Sequence, residues 1–224
     1  MKLMEKFLDE LRPTYVAREV EQLSPDLFYS EGLLERVDGI GFDDGTLMSY
    51  QDCEVPETVH ETLSELSKVG LDLFVISNEQ GSRAEDLNQI FGKDLGMTVI
   101  TPSDIAGEDN SSSYLKPNPK MIQCALSEMD VPHDEFLMVG GQLFKDVLSA
   151  NRADVLSMLL PRRGEMDNWR ARMFRKPVEV LVRKTLELPI CPKSFPERIR
   201  PIGPVHCPHS TRYTHKYRKP KNDK

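Results

Sequence analysis

The chain of 224 residues is long enough for one well-packed domain with an additional segment. Hydrophobic residues make up 39% of the chain and charged residues 29%, a balance typical of a globular protein. No apolar run reaches the roughly 18 residues that a membrane-spanning helix needs, which excludes such a helix. Four scattered cysteines favour reduced thiols over a disulfide framework, and we therefore predict a cytoplasmic location.

Charge is distributed unevenly along the chain. Residues 189–224 hold nine of the 29 Lys/Arg and two of the 36 Asp/Glu, so the remaining residues hold 20 and 34. The net charge is therefore +7 in the last segment and −14 in the rest. This asymmetry predicts an acidic body with a basic tail. A solvated, disordered tail is the favoured interpretation, and weak contact with an anionic membrane or nucleic acid is the alternative.

In chain order, residues 1–35 are predicted to form a helical lead-in, because apolar side chains recur at helical spacing from Phe7 to Leu23. Residues 36–162 then alternate between apolar runs and amphipathic segments. The apolar runs predict strands near 37–43, 71–76, 98–101, 136–139 and 155–160. The amphipathic segments predict helices near 56–69, 81–92, 118–129 and 144–153. This alternation predicts an α/β fold with a doubly wound parallel sheet, which binds ligands at the carboxyl ends of its strands.

The C-terminal part differs in composition from this core. Residues 163–188 have the pattern of an amphipathic helix, in which Pro177 predicts a kink or a break. Residues 189–224 are rich in proline and positive charge and poor in aliphatic side chains. We therefore predict that this tail is mostly irregular or disordered.

Residues 37–47, which read Val-Asp-Gly-Ile-Gly-Phe-Asp-Asp-Gly-Thr-Leu, carry the clearest chemical signal. An apolar strand pattern ends abruptly at Asp43 and Asp44, and Thr46 follows. Two carboxylates suit phosphate ester hydrolysis, in which one attacks phosphorus and the other protonates the leaving oxygen. Adjacent residues of a strand face opposite sides, so the two acids share a pocket only where the backbone bends. Asp43 as an ordinary turn residue is the alternative.

Three later segments place polar groups at the same predicted edge of the sheet. Ser77 and Asn78 follow a predicted strand, and Lys116 precedes a predicted helix. Residues 140–153, Gly-Gly-Gln-Leu-Phe-Lys-Asp-Val-Leu-Ser-Ala-Asn-Arg-Ala, join a strand to the helix that contains Asp146. A hydroxyl, an amide, an ammonium and a carboxylate at one edge could together handle a phosphate group. Asp146 as a residue that only complements the charge at the helix start is the alternative.

In this order, the four segments resemble the motifs of the haloacid dehalogenase (HAD) superfamily. Over roughly residues 5–188 the chain resembles its class IIIA, YqeG-like branch, whose relatives include phosphatidylglycerophosphate phosphatases. The resemblance implies a HAD-like Rossmannoid core, magnesium as cofactor, and a phosphorylated small molecule or lipid head group as substrate. The gaps between the motifs are occupied by predicted core elements, which indicates the class without a cap domain.

The resemblance also implies roles for individual residues. The HAD signature Asp-x-Asp-x-Thr can be aligned with this chain in two ways. Without a gap, Phe42 takes the nucleophile's place and Asp44 is the acid/base; with one residue absent, Asp43 is the nucleophile. Gly141 stands where close relatives have a metal-binding Asp. The implied phosphate ligands are Thr46, Ser77, Asn78 and Lys116, and the implied metal ligands are Asp43 and Asp146.

Two functions are consistent with these motifs. The first is a phosphatase acting on a phosphate monoester, such as a phospholipid precursor, with activity impaired by the residues at positions 42 and 141. The second is a pseudophosphatase that keeps the fold and binds a phosphorylated ligand or a partner protein. Either would be cytoplasmic, with the basic tail offering peripheral contact to a membrane.

Overall fold

The computed structural model describes residues 2–30, 32–33, 36–49, 54–106, 112–164 and 176–202. The strands in this part of the chain are β1 (Tyr15–Val16), β2 (Gly39–Phe42), β3 (Asp72–Ile76), β4 (Thr98–Ile100), β5 (Phe136–Gly140), β6 (Leu156–Leu159) and β7 (Arg200–Pro201). They form a seven-stranded sheet in the order β4-β3-β2-β5-β6-β1-β7. Neighbouring strands are parallel, except that β7 runs antiparallel to β1. The predicted α/β fold with a doubly wound, mostly parallel sheet is confirmed.

Helices connect these strands. They are α1 (Lys2–Glu10), α2 (Pro25–Ser30), α3 (Asp44–Leu47), α4 (Glu57–Lys68), α5 (Ser82–Leu87), α6 (Pro102–Ala106), α7 (Lys120–Met129), α8 (Leu148–Arg152) and α9 (Lys176–Thr185). Wider π-type turns over Asn88–Lys93 and Leu143–Val147 extend α5 and precede α8, respectively. Short 3-10 turns lie at Val20–Leu23, His133–Glu135 and Pro192–Ser194.

The sheet is buried on both faces, because successive side chains along a strand point in opposite directions. On one face, Ile40 and Phe42 of β2 belong to the same apolar cluster as Val59 and Leu63 of α4. On the other face, side chains of β3 and β5 pack with α7. The register of β2 with β3 and β5 brings the carboxyl ends of these three strands side by side, at one edge of the sheet.

The segment predicted as a helical lead-in contains a strand. Val16 lies in β1, where the backbone pairs with β6, and not on a helix face shared with Leu23. The turn before β1 is held by Asn151, whose amide nitrogen donates to the carbonyls of Glu10 at 2.7 Å and Arg12 at 3.0 Å. A two-residue strand is too short to leave a periodic pattern, so the sequence could not reveal it.

The C-terminal segment also differs from its prediction in the part that the structure describes. Helix α9 carries Pro177 in its first turn, a position that tolerates proline, so the ring does not break this helix. Residues 189–202, predicted as the start of an irregular tail, include β7 and two buried apolar side chains, Phe195 and Ile199. Residues 165–175 and 203–224 lie outside the described part. Among the described helices, none is long and apolar enough to cross a membrane.

Replacing Phe195 with alanine is expected to lower the free energy of unfolding by about 3–5 kcal/mol, because a phenyl ring that is 4% exposed would leave a cavity. Urea unfolding followed by circular dichroism measures this change. Lys193→Ala is the matched control, since Lys193 is exposed on the same segment and should change stability by less than about 0.5 kcal/mol. Equal stabilities of the two variants would contradict the packing of residues 189–202 on the core.

Candidate active site

The predicted site residues converge at the carboxyl ends of the central strands. Asp43 follows β2, Ser77 follows β3, and Gly141 follows β5. Lys116 reaches the same place from the loop before α7, and Asp146 from the turn that precedes α8. The side chains of Asp43, Ser77, Lys116 and Asp146 are all buried.

The ammonium group of Lys116 is the centre of this cluster. Its Nζ lies 2.7 Å from Oδ1 of Asp43 and 2.8 Å from Oδ1 of Asp146, and it donates to the carbonyl oxygen of Ile76 at 2.8 Å. Burial alone would lower the pKa of Lys116, but the charges of Asp146 and Asp43 outweigh burial and raise it. The lysine is therefore a permanent cation that connects two carboxylates and one strand end.

Asp43 is held in its ionised form. Burial opposes this, but Lys116, and Arg162 beside it, lower the pKa of the Asp43 carboxyl below its usual range. Nη2 of Arg162 lies 3.7 Å from Oδ2 of Asp43. A buried carboxylate with two cationic neighbours is stabilised as an anion, which is the form a nucleophile needs.

Asp44 has the opposite electrostatic environment. Its Oδ1 accepts a hydrogen bond from the hydroxyl of Ser77 at 2.8 Å. Burial, reinforced by the charge of Asp43, raises the pKa of Asp44 to about 6. Two neighbouring carboxyls with pKa values displaced in opposite directions are the arrangement that a nucleophile and a general acid require.

The turn after β2 explains how two adjacent acids stay in one cluster. Asp43 keeps an extended backbone, with φ −71° and ψ 130°, and Asp44 begins the single-turn helix α3. Thr46 closes this turn, because its amide donates to the Asp43 carbonyl at 2.9 Å and its hydroxyl donates to the same oxygen at 2.7 Å. The Asp43 carboxylate contacts Lys116, and the Asp44 carboxylate contacts Ser77. Adjacent residues were predicted to point in different directions, and here both carboxylates still lie at the same edge of the sheet.

Asn78 positions the backbone of Lys116. The Lys116 amide donates to Oδ1 of Asn78 at 2.7 Å, and Nδ2 of Asn78 donates to the Lys116 carbonyl at 3.3 Å. Both ends of the Asn78 side chain are thus directed at the lysine. A direct role of Thr46 and Asn78 in binding phosphate stays a prediction, and in this structure Thr46 orders the turn after Asp43 and Asn78 orders the backbone of Lys116.

The carboxylate of Asp146 binds backbone amides of the loop that precedes it. Its Oδ2 accepts hydrogen bonds from the amides of Gly141 and Gln142, each at 3.0 Å, and its Oδ1 faces Lys116. Burial and the charge of Asp43 raise the pKa of the Asp146 carboxyl. Asp146 therefore folds the loop after β5 back against Lys116.

The position of Phe42 distinguishes the two alignments of the first motif. Its ring is fully buried in the apolar cluster on the α4 face of the sheet. The side chain that contacts Lys116 belongs to the next residue, Asp43. The spatial arrangement thus matches the alignment in which one residue is absent.

Arg162 is a site residue that the sequence reasoning missed. It lies three residues after the end of β6, and its side chain is 19% exposed. A Cβ atom added to Gly45 would lie 2.1 Å from Nη2 of Arg162, and one added to Gly141 would lie 2.2 Å from its Cγ. The arginine therefore fills the space over both glycines. Its place just after the last predicted strand was the available signal, since that edge is where ligand-binding groups collect.

Two further arginines hold the surrounding loops. The backbone amide of Arg163 donates to the Gly45 carbonyl at 2.8 Å, and its Nε donates to the Thr46 carbonyl at 3.1 Å. Arg183 of α9 is buried and donates from Nη2 to the Gly141 carbonyl at 3.1 Å. The C-terminal helix is thus connected directly to the site.

A family model described as haloacid dehalogenase-like hydrolase matches residues 44–160, about half of the chain. The chain belongs to the haloacid dehalogenase-like hydrolase family. This confirms the predicted superfamily, and the fold described above is the expected HAD-like one. The assignment to class IIIA and to its YqeG-like branch stays a prediction.

Several relatives of the chain carry an activity in their names. Pyrophosphatase PpaX of Bacillus mycoides is 32% identical over 90 residues, which cover 38% of this chain and 36% of the relative. Pyrophosphatase PpaX of Bacillus cereus is 31% identical over the same length and with the same coverage. The match therefore spans about a third of the length of these curated relatives.

Solved structures of HAD proteins are also similar in part. A HAD phosphatase from Thermococcus onnurineus has 23% identity and a TM-score of 0.42, with coverage of 51% of this chain and 50% of that one. The putative HAD-hydrolase YfnB from Bacillus subtilis, solved with bound magnesium, has 12% identity and a TM-score of 0.38, with coverage of 55% and 56%.

The donors of this site do not fit a magnesium ion as they are arranged. The predicted ligands Asp43 and Asp146 come together around the Lys116 ammonium, and both oxygens of Asp146 are engaged. Gly141 contributes no carboxylate, and the Arg162 side chain occupies the space beside it. Within the described residues, no group of three or more His, Cys, Asp and Glu side chains is placed to hold a metal ion. Magnesium needs near-octahedral oxygen ligands, which this cluster lacks.

The carboxyl group of Asp44 is expected to titrate with a midpoint near pH 6, and the midpoint should fall in an Asp43→Asn variant. Removing the neighbouring negative charge favours ionisation of Asp44, while burial continues to oppose it. Carboxyl 13C chemical shifts recorded between pH 4 and pH 8 measure both midpoints. An unchanged or higher midpoint in the variant would show that Asp43 does not act on Asp44.

Proposed function

We propose that the chain is a phosphoric monoester hydrolase of the HAD family, with Asp43 as nucleophile and Asp44 as general acid and base. The observation that carries this proposal is the pairing of an ionised carboxyl with one whose pKa is about 6 at the same strand end. Their partners Lys116 and Ser77 are groups that can also hold phosphate oxygens. Family membership supports hydrolase chemistry in general.

In the proposed reaction, an oxygen of Asp43 attacks phosphorus and the bond to the leaving oxygen breaks. Protonated Asp44 gives its proton to that oxygen, so the product leaves as an alcohol. Water then attacks the phosphorus of the aspartyl phosphate, and the bond between phosphorus and the Asp43 oxygen breaks. Asp44 takes a proton from this water, inorganic phosphate is released, and the Asp43 carboxylate is regenerated. Lys116 compensates the negative charge throughout, because its pKa keeps it protonated.

The burial of Asp43 and the contacts of Lys116 predict slow turnover. Asp43 is 6% exposed, and Nη2 of Arg162 lies 3.7 Å from its Oδ2. The ammonium of Lys116 already has three oxygen neighbours in this state. A substrate must therefore displace these contacts before it reaches the nucleophile, which adds to the barrier.

A pseudophosphatase that binds a phosphorylated ligand or a partner protein is the second candidate. It is favoured by Gly141, because a glycine lacks the carboxylate expected in the fourth motif. It is also favoured by the ion pairs of Lys116 with Asp43 and Asp146, because they already occupy the ammonium group. In this candidate, Ser77 and Lys116 bind phosphate without subsequent attack.

The substrate is also part of the proposal. The YqeG-like resemblance suggests a phospholipid precursor such as phosphatidylglycerophosphate, whereas the relatives named PpaX suggest pyrophosphate. Both carry a terminal phosphoryl group, which is bonded to an alkyl oxygen in the first, a monoester, and to a phosphate oxygen in the second, an anhydride. We propose a cytoplasmic protein that acts on the monoester, with peripheral membrane contact through the basic tail. A panel of p-nitrophenyl phosphate, pyrophosphate and phosphatidylglycerophosphate separates these possibilities.

Replacing Asp43 with asparagine is expected to reduce kcat/KM for p-nitrophenyl phosphate by at least about a thousandfold, because the amide cannot form the aspartyl phosphate. Steady-state release of nitrophenolate measures the rate. Asp38→Asn is the matched control, since Asp38 is exposed at the opposite end of the same strand and should leave the rate unchanged. Turnover by the native chain that equals that of the Asp43 variant would instead establish the pseudophosphatase.

Replacing Asp44 with asparagine should have an effect that depends on the leaving group. Hydrolysis of an alkyl phosphate is expected to slow by about 10²–10⁴-fold, because an alkoxide needs a proton as it leaves. Hydrolysis of p-nitrophenyl phosphate should slow far less, because nitrophenolate is stable without one. Equal losses for the two substrates, measured as kcat/KM, would rule out Asp44 as the general acid.

A further inference from the structure

We propose that Arg162 is the resident cation of this site and occupies the place of a divalent metal ion, so that the site handles phosphate without magnesium. The inference rests on the proposed function, because it concerns the same cluster of carboxylates. It also explains why the donors around Asp43 do not fit a metal ion.

Arg162 sterically excludes a side chain at position 141. The Cγ of Arg162 lies 2.2 Å, and its Cδ 3.2 Å, from the position that a Cβ of residue 141 would occupy. An aspartate at position 141 and the present conformation of Arg162 therefore exclude each other. Gly45 extends the same space, because three atoms of the guanidinium lie 2.1–2.5 Å from the position of its missing Cβ. The two glycines together form the surface on which the arginine lies.

Arg162 also balances the charge of the carboxylates in the site. Arg162 faces the charges of Asp43, Asp146 and Asp44, and its Nη2 is 3.7 Å from Oδ2 of Asp43. The glycine at position 141 removes one negative charge from the site, and an arginine in place of a divalent ion removes one positive charge. The two changes compensate each other, so the net charge that meets an incoming phosphate is conserved.

The backbone fixes Arg162 in this place. The next residue, Arg163, donates from its amide to the Gly45 carbonyl and from its side chain to the Thr46 carbonyl. These bonds join the segment after β6 to the turn that carries Asp43. A guanidinium held at this point can also bind two oxygens of a phosphate group side by side, which a lone ammonium cannot do.

Binding of Mn²⁺, followed by electron paramagnetic resonance of the free ion, tests the proposal without any requirement for turnover. The native chain is expected to show no saturable binding up to millimolar concentrations. The double variant Gly141→Asp with Arg162→Ser restores a carboxylate and removes the guanidinium, and its apparent affinity for Mn²⁺ should rise by at least about tenfold. Gly141→Asp with Arg152→Ser is the matched control. Arg152 pairs with Glu10 on the surface, so its replacement should not raise the affinity for Mn²⁺.

Thermal unfolding of the same variants gives a second measurement. Gly141→Asp alone should lower the melting temperature because of the contact with Arg162, and adding Arg162→Ser should recover part of this loss. Saturable Mn²⁺ binding by the native chain that disappears in Asp43→Asn would overturn the proposal, as would a double variant that binds no more Mn²⁺ than the native chain.

A titration with inorganic phosphate in EDTA separates this inference from the proposed function. Native protein is expected to bind phosphate equally with EDTA and with Mg²⁺, and Arg162→Met should weaken binding by at least about tenfold. Phosphate binding that requires Mg²⁺ would also overturn the inference. Absence of phosphate binding under both conditions would count against the proposed function, and the Mn²⁺ measurement would still decide the role of Arg162.

Discussion

The buried ammonium of Lys116 is the interaction on which the site depends. It joins Asp43 after β2, the last carbonyl of β3 and Asp146 after β5, so one charged group connects three strand ends. Charges buried in this way are tolerated only because each has a partner, and removal of Lys116 would take the nearest positive charge from both Asp43 and Asp146. Asn78 contributes by fixing the backbone from which the lysine extends. The geometry of Asp43 and Asp146 therefore follows from a requirement for charge balance inside the protein.

The same requirement accounts for the differences from the usual HAD motifs. A glycine at position 141 removes a carboxylate, and Arg162 fills the space that the glycine leaves. Arg183 and Asp146 then hold the loop after β5 from two sides, through the Gly141 carbonyl and amide. Gly141 removes one negative metal ligand, and the guanidinium of Arg162 takes the place of the positive metal ion. This exchange links the C-terminal helix α9 and the segment after β6 to the proposed chemistry.

The long apolar runs identified β2, β3, β5 and β6 to within a few residues, because a strand buried on both faces needs a continuous apolar sequence. The strands β1 and β7 could not be found in this way. Each has two residues. β1 forms where the chain passes beside the edge of β6, and β7 forms where a later segment passes beside β1. Such pairing depends on proximity in the fold, and a local pattern carries no record of it.

The sequence by itself determined the α/β class, the order of the four motifs and the collection of Asp43, Ser77, Lys116 and Asp146 at one edge, since parallel strands present their carboxyl ends together. Only the tertiary structure decided which of two adjacent acids meets Lys116 and which meets Ser77. That choice depends on the turn closed by Thr46, which redirects the backbone between them. The tertiary structure also placed Arg162 in the site, because the space it fills is bounded by glycines almost a hundred residues apart in the chain. The direction of a side chain into such a space is set by neighbours distant in sequence, and no local pattern encodes it.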